Sequence, residues 1–215
     1  MSIVHQFTFN PFQENTFVIY DETKEGIIID PGCYTNEEKQ QLQSFIADNK
    51  ISIKYLINTH CHIDHVLGNV FVKEKFGVGL YIHKEDESTL RSVGTYAQVY
   101  GFPQFDSSRA DNYLKEGDTV SFGNSALEVI FAPGHAPGHI CLVNKKDKYI
   151  IGGDVLFYGS IGRTDLPGGD HATLIKSIRV KIFNLDDDFR VYTGHGPATN
   201  IGFEKINNPF VGLNA

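Results

Sequence analysis

The sequence is poor in cysteine: a chain of 215 residues has only three, Cys33, Cys61 and Cys141. None of them forms a C-x-x-C motif, and three thiols cannot all be joined in disulfides. This argues against a secreted domain that depends on a disulfide framework. The pattern favours a reduced compartment, and we expect the protein to be cytoplasmic.

The sequence also lacks a long apolar run. Its apolar stretches are far shorter than the roughly 20 residues that a membrane-spanning helix needs. The N-terminal segment MSIVHQFTFNPF has no basic start followed by an apolar stretch, so we expect no signal peptide. We therefore expect no membrane partner.

Positive charge is in short supply, with 19 Lys and Arg against 26 Asp and Glu and a net charge of −7. Nucleic-acid binding needs a concentrated basic surface, so nucleic acid is not an expected partner. A local basic pocket for an acidic small molecule stays compatible with this balance. With 41% hydrophobic residues, the chain can bury a sizeable core.

Two series of short strands are predicted, each followed by helices. The first series is HQFTF, NTFVIY, GIIID and KYLIN, and the second is SALEVIFA, HICLVN, KYIIGGD and FRVYTG. Thr35 and Glu38 predict a capping box at the start of a helix, and further helices are expected before Gly77, after Asp170 and near Thr199. This order favours an α/β fold in which residues 1–215 form one domain of two packed sheets with helices outside.

The segment NTHCHIDHVLGN, residues 58–69, concentrates groups that bind metals. In extended backbone, residues two apart point the same way, so His60 and His62 can reach one ion together. Asp64 and His65 are adjacent and must diverge from that geometry, so they can serve a neighbouring position. Imidazole and carboxylate suit zinc, iron or manganese.

Three more such groups follow other strands. His135 lies in FAPGHAPGH, Asp154 in IIGGDV and His195 in VYTGHGP, and each follows a hydrophobic strand and a glycine. An acidic or imidazole group at the end of a buried strand is costly unless it is paired or bound to a metal. Together with the first segment, this recurrence predicts an open catalytic metal site.

Other polar residues near these motifs have less certain roles. Asp30 is either a turn former or a residue that orients a ligand histidine. Cys61 is interpreted as a small packed residue. His139 is structural or supports a ligand, and we assign no role to the remaining histidines, which are His5, His83 and His171.

The set THCHIDH, PGHAPGH, GGD and GHGP resembles the metallo-β-lactamase superfamily over essentially the whole chain. The segment GDVLFYGSIGRTDLPGGDHATLI is similar to the short members of its glyoxalase II branch, the hydroxyacylglutathione hydrolases. The resemblance implies a four-layer αββα sandwich of two mixed β-sheets flanked by helices. It also implies two divalent metal ions, most simply zinc, with iron or manganese as alternatives. One ion would be held by His60, His62 and His135, and the other by Asp64, His65 and His195, with Asp154 bridging.

The same resemblance implies a metal-dependent thioester hydrolase acting on S-D-lactoylglutathione or a related acyl-thiol. Asp64 and Asp154 would take part in catalysis, and Arg163 and Tyr158 would contact the substrate. Tyr96 and Tyr100 are further residues that could line the acyl or peptide side. We expect no counterpart of the helical glutathione-binding domain of the longer members, which leaves dependence on glutathione open.

Two other functions fit parts of the pattern. A persulfide dioxygenase, an oxidoreductase with similar motifs, would use one iron on His60, His135 and Asp154. A structural metal module is the alternative that is not an enzyme, but structural zinc sites are usually closed, four-coordinate and rich in thiolate. The sequence does not determine the oligomeric state.

Overall fold

Six strands of the N-terminal half form one sheet in the computed structural model of the chain, which describes residues 1–213. They lie side by side in chain order: β1 (Ile3–Phe9), β2 (Glu14–Tyr20), β3 (Glu25–Ile29), β4 (Ser52–Ile57), β5 (Leu80–His83) and β6 (Asn112–Leu114). The first three strands pair antiparallel, and the strands from β3 to β6 pair parallel. The sheet is therefore mixed, and its central strands end at the same edge.

Four helices accompany this sheet: α1 (Asn36–Asp48), α2 (Ile63–Val66), α3 (Asn69–Phe76) and α4 (Glu87–Tyr96). The predicted capping box of α1 is confirmed, since Thr35 and Glu38 bond each other's backbone N–H groups. The α3 helix ends as predicted at Gly77, whose positive φ of 66° suits a residue without a side chain. Buried apolar side chains such as Leu42, Leu56 and Val72 pack into one core cluster here.

A second six-stranded sheet has the order β14-β13-β10-β9-β8-β7. Its strands are β7 (Thr119–Phe122), β8 (Ser125–Phe131), β9 (Ile140–Asn144), β10 (Tyr149–Gly153), β13 (Arg190–Thr193) and β14 (Thr199–Asn200). A small hairpin of β11 (Leu156–Phe157) and β12 (Ser160–Ile161) follows β10, and the helices are α5 (His171–Val180) and α6 (Ile201–Asn207). Since β10 pairs antiparallel with β9 and parallel with β13, this sheet is also mixed.

The chain divides into two compact units. The first contains Met1–Leu114 and Ser121–Ala126, and the second contains Lys115–Val120 and the chain from Leu127 onward. The second unit has its own core cluster, in which Ile150, Leu174 and Val191 are fully buried. Within the part of the chain that the structure describes, no helix has the length and apolar character needed to cross a bilayer.

Candidate metal centre

In the first unit, the histidine-rich segment connects β4 to α2. His60 and His62 precede the helix, and Asp64 and His65 lie within its single turn. The ring centre of His60 is 4.8 Å from that of His62 and 4.1 Å from that of His65. His60 and His65 are buried, so the segment brings these imidazoles close together inside the protein.

Asp30 fixes the tautomer of His60 through Thr59. One carboxylate oxygen of Asp30 accepts the backbone N–H of Thr59 at 2.7 Å, and the other accepts the Thr59 hydroxyl at 2.6 Å. The Thr59 oxygen also lies 3.1 Å from Nδ1 of His60. Because the hydroxyl proton is given to Asp30, Nδ1 of His60 must donate the proton in this contact. The Nε2 lone pair is therefore left for a metal, which supports an orienting role for Asp30.

Carboxylates also face Nδ1 of His65. Asp30 Oδ2 is 3.2 Å from this nitrogen and Glu14 Oε1 is 3.8 Å from it, while Nε2 lies 3.6 Å from Asp64 Oδ2. The Asp30 carboxylate, the nearer of the two, favours a proton on Nδ1, so Nε2 is the nitrogen of His65 whose lone pair could face a metal. Burial raises the pKa of Glu14 well above its usual range, and its Oε2 accepts the Thr16 hydroxyl at 2.9 Å.

Two buried asparagines at the ends of the segment are hydrogen-bonded to each other. Asn58 is its first residue and Asn69 its last, and the Asn69 amide donates to Asn58 Oδ1 at 2.8 Å. The Asn58 amide donates to the backbone carbonyl of His65 at 3.0 Å. These bonds tie the two ends together and hold the short helix that carries Asp64 and His65.

In the second unit, Asp154 lies between two histidines. Its Oδ2 atom is 3.5 Å from Nε2 of His135 and also 3.5 Å from Nε2 of His195. Asp154 directly follows β10 and His195 closely follows the parallel neighbour β13, so both side chains come from the same edge of the sheet. This carboxylate oxygen is therefore placed where it can contact ions held by either histidine.

A main-chain carbonyl fixes the tautomer of His135. Its Nδ1 lies 2.7 Å from the carbonyl oxygen of Arg163. A carbonyl can only accept, so Nδ1 carries the proton and Nε2 is the nitrogen whose lone pair could face a metal. His139 contacts the backbone of Asp154, since its Nε2 accepts the backbone N–H of Asp154 at 3.0 Å. His139 thus supports a ligand position, one of the two roles that the sequence left open.

The predicted substrate contacts lie on the surface of the second unit. The exposed Arg163 guanidinium forms a two-bond pair with Asp165, at 2.7 Å for each bond. These bonds lower the pKa of Asp165 to about 2, so the pair persists at neutral pH. Tyr158 stacks on Phe203 with ring centres 5.0 Å apart and borders a cavity of about 490 Å³ together with Arg190 and Asn200.

Tyr96 and Tyr100 lie in the first unit. Tyr96 ends α4, and its ring centre is 5.4 Å from that of Tyr100, which in turn is 6.3 Å from that of Phe12. Burial raises the pKa of Tyr96 to about 12, so the phenol keeps its proton and remains a hydrogen-bond donor at neutral pH. Tyr100 and Phe12 are exposed and extend this aromatic row to the surface.

The donor set in each unit suits a divalent metal. His60, His65 and His135 each have an acceptor facing Nδ1, as is usual for metal-bound histidine. A cluster of Asp30, His60 and His65 also has donor atoms within 4.8 Å of one another. We do not interpret it as a metal site, because both oxygens of Asp30 are engaged by Thr59.

Several supporting residues were not predicted from the sequence. They are Glu14, Asn58, Thr59, Asn69, Asp86 and the main-chain carbonyl of Arg163. Three of them lie within the segment of residues 58–69: Asn58, Thr59 and Asn69. Their polar side chains next to the proposed ligands could have indicated a supporting role. Glu14 and Asp86 are distant in sequence and carry no such signal.

Comparisons with known proteins place these observations in a family. The metallo-beta-lactamase superfamily model matches residues 9–195. The hydroxyacylglutathione hydrolase GloC of Haemophilus influenzae is 40% identical over 202 residues, which is 93% of this chain and 93% of that protein.

Two solved structures are similar over nearly their full length. BLEG-1, a B3 metallo-beta-lactamase, has a TM-score of 0.89 and 33% identity, with 97% of this chain and 99% of that chain covered. TTHA1623 in a di-iron-bound form has a TM-score of 0.84 and 31% identity, with 96% and 100% covered. The predicted fold class is thereby confirmed.

Proposed function

Because the chain belongs to the metallo-β-lactamase superfamily, we propose that it is a metal-dependent hydrolase that cleaves thioesters. The proposed substrate is S-D-lactoylglutathione or a related acyl-thiol. Similarity over most of the chain to a protein named as a hydroxyacylglutathione hydrolase supports this choice. The observation that carries the proposal is the Asp154 carboxylate oxygen, which lies 3.5 Å from Nε2 of His135 and 3.5 Å from Nε2 of His195.

We propose two ligand sets for two divalent ions. His60, His62 and His135 would hold one ion, and Asp64, His65 and His195 would hold the other, with Asp154 shared. The orientation of Nε2 in three of these histidines supports the assignment. Zinc is the first choice of metal, and iron or manganese are compatible with the same imidazole and carboxylate donors.

When bound, such a pair of ions supplies hydroxide at neutral pH and stabilises the negative charge that develops on the substrate carbonyl oxygen. The protein residues prepare this chemistry. Asp30 and the Arg163 carbonyl hold the histidine tautomers, and His139 holds the backbone of Asp154. We propose that Asp64 also orients the attacking water, since its carboxylate is partly exposed.

A thioester suits this site because of its leaving group. A free thiol has a pKa of about 8.5, so a thiolate can depart without a strong general acid. The proposed site would supply hydroxide and stabilise the negative charge on the carbonyl oxygen. None of the proposed ligands is assigned the role of a general acid that protonates the leaving group. A substrate with a poor leaving group is therefore less suited than an acyl-thiol.

Arg163 and Tyr158 are the proposed substrate contacts. The Arg163 guanidinium can pair with a substrate carboxylate in the two-bond geometry that it now makes with Asp165. Its carbonyl, by contrast, supports His135 and is unaffected by a change of side chain.

We predict that Arg163→Ala raises KM for an anionic acyl-thiol by about 10-fold, the effect of losing roughly one charge-assisted hydrogen bond. The metal content and kcat should stay close to those of the parent protein. Steady-state kinetics with anionic and neutral thioesters would measure this split. A matched control is Asp165→Ala, which frees the guanidinium and should not raise KM. An unchanged KM of the Arg163→Ala variant for the anionic thioester, or an equal rise in KM for the neutral one, would contradict the assignment.

The persulfide dioxygenase remains the alternative, with one iron on His60, His135 and Asp154. Elemental analysis of the protein as purified, combined with a substrate panel, separates the possibilities. We expect two ions per chain and thioester cleavage that does not change when oxygen is removed. One iron per chain with oxygen uptake on glutathione persulfide would instead establish the dioxygenase.

The same panel should contain β-lactams, because one similar structure is named as a B3 metallo-beta-lactamase. Tight metal binding without turnover of any substrate would point to a structural module. From the sequence we also keep two proposals: that residues 1–215 form one catalytic domain, and that the protein is cytoplasmic.

A further inference from the structure

We propose that Asp86 is a positioning residue that fixes the backbone between His60 and His62 and thereby sets the metal affinity of that segment. This inference rests on the proposed function, because it assumes that the two histidines bind a metal. It concerns only residues of the first unit.

The contact joins two distant parts of the chain. Asp86 Oδ2 accepts the backbone N–H of Cys61 at 2.5 Å, across 25 positions of sequence. Both residues are fully buried. A buried carboxylate is costly unless its oxygens are hydrogen-bonded, and a bond between a carboxylate and an N–H group is strong and short. Cys61 is therefore held firmly at its backbone.

In the part of the chain that the structure describes, Asp86 makes this contact without making the usual backbone capping bond of its own helix. It occupies the N-cap position of α4, where an aspartate side chain normally accepts a backbone N–H of its own helix. Within residues 1–213, the structure gives Asp86 no such capping bond. The capping residues Thr35, Asp170 and Asn200 do make that bond in their helices. The oxygen of Asp86 is directed to the metal-binding segment instead.

The backbone conformation at Cys61 affects the positions of both neighbouring histidines. Cys61 is the single residue between His60 and His62, so a rotation of its backbone moves both imidazoles. Asp30 anchors the segment in the same way at the N–H of Thr59, at 2.7 Å. Two buried carboxylates thus hold alternate N–H groups of one short segment, while the side chains of the histidines remain available as ligands.

The side chain of Thr89 links Asp86 to its own helix. The Thr89 hydroxyl donates to Asp86 Oδ1 at 3.3 Å, one turn into α4. The carboxylate is therefore held by α4 on one oxygen and holds the metal-binding segment with the other. The metal-binding segment is thus connected through Asp86 to α4, a helix that contributes no proposed ligand.

The test measures metal binding to metal-free protein. Asp86→Ala removes the anchor, and Asp86→Asn keeps an amide oxygen that can still accept the Cys61 N–H. The matched control is Asp111→Asn, because Asp111 also accepts a backbone N–H, that of Leu80 at 2.7 Å, and belongs to the same unit. Each protein is titrated with cobalt(II) against a chromophoric chelator, and the visible spectrum of the loaded form is recorded.

We expect Asp86→Ala to lose about 10- to 100-fold in affinity, as for other residues that support metal ligands, and to show an altered cobalt spectrum. Asp86→Asn should lose less, and Asp111→Asn should match the parent protein. A purely structural role would lower the melting temperature of metal-free protein but leave the affinity and spectrum of the folded protein unchanged. That result would overturn the inference.

If Asp86→Ala does not fold, Asp86→Asn decides the question: parent-like affinity together with a parent-like spectrum would overturn the inference. The parent protein tests the proposed function separately. A parent protein that binds no cobalt would refute the proposed function, whereas normal binding by the parent and by a folded Asp86→Ala protein would refute only the role of Asp86.

Discussion

Asp154→Ala is expected to fold and to lose metal and thioesterase activity. Even residues that only support a metal ligand cost about 10- to 100-fold when they are changed, so the loss of a shared ligand should cost more than about 100-fold in kcat/KM. The fold should survive because the side chain is not a member of the apolar core cluster of its unit. Its backbone N–H bond to His139 also does not depend on the carboxylate.

Three measurements test this result: metal content, kcat/KM on an acyl-thiol, and far-ultraviolet circular dichroism. Asp154→Asn separates charge from shape, since it keeps the size of the side chain and removes the negative charge, and it should also be severely impaired. Asp186→Ala is a control in the same unit, because this exposed aspartate only approaches Lys148 at 3.6 Å. Full activity of the Asp154→Ala protein would show that the shared-ligand assignment is wrong.

Gly162→Ala is expected to damage the same region through the backbone. A Cβ atom at this position would lie 1.9 Å from the carbonyl oxygen of Asp154 and 3.1 Å from Nδ1 of His135. The first clash involves a backbone atom, which no rotamer change can relieve. Overpacking of this kind costs about 1–3 kcal/mol of stability. A displacement of about 1 Å at the reacting groups costs about 100-fold in activity.

The melting temperature of metal-free protein and kcat/KM on an acyl-thiol would measure both effects. Gly152→Ala is the matched control, since a Cβ there would meet Val191 Cγ1 at 3.4 Å, close to ordinary van der Waals contact. It should retain activity close to that of the parent protein. If Gly162→Ala behaves like Gly152→Ala, the close approach of the chain to Asp154 has no bearing on the site.

Much of the candidate site could be predicted because its residues follow strand ends. Asp154 and His195 follow apolar runs, and parallel neighbours end at the same edge of a sheet. The tight spacing in His60-x-His62 gave a second local signal. Such patterns can be recognised in a single sequence because they depend on residues that are near one another along the chain.

The supporting contacts could not be predicted because they join distant parts of the chain. The Asp86 bond to Cys61 spans 25 positions, and the Asp30 bond to Thr59 spans 29. The short helix α2 and the hairpin of β11 and β12 were also missed, since one turn of helix and two-residue strands are too short to show periodicity. For these elements, tertiary contacts decide the local structure.

The main-chain bond from Arg163 to His135 has a consequence for how this enzyme can diverge. Every amino acid offers the same carbonyl, so the side chain at position 163 can be exchanged without removing the group that orients the imidazole of His135. If Arg163 contacts the substrate and His135 binds a metal, as we propose, selection can change substrate preference at this position while the proposed metal site is preserved. A library that randomises position 163 should yield variants that differ in the acyl-thiols they accept and agree in the metal they retain.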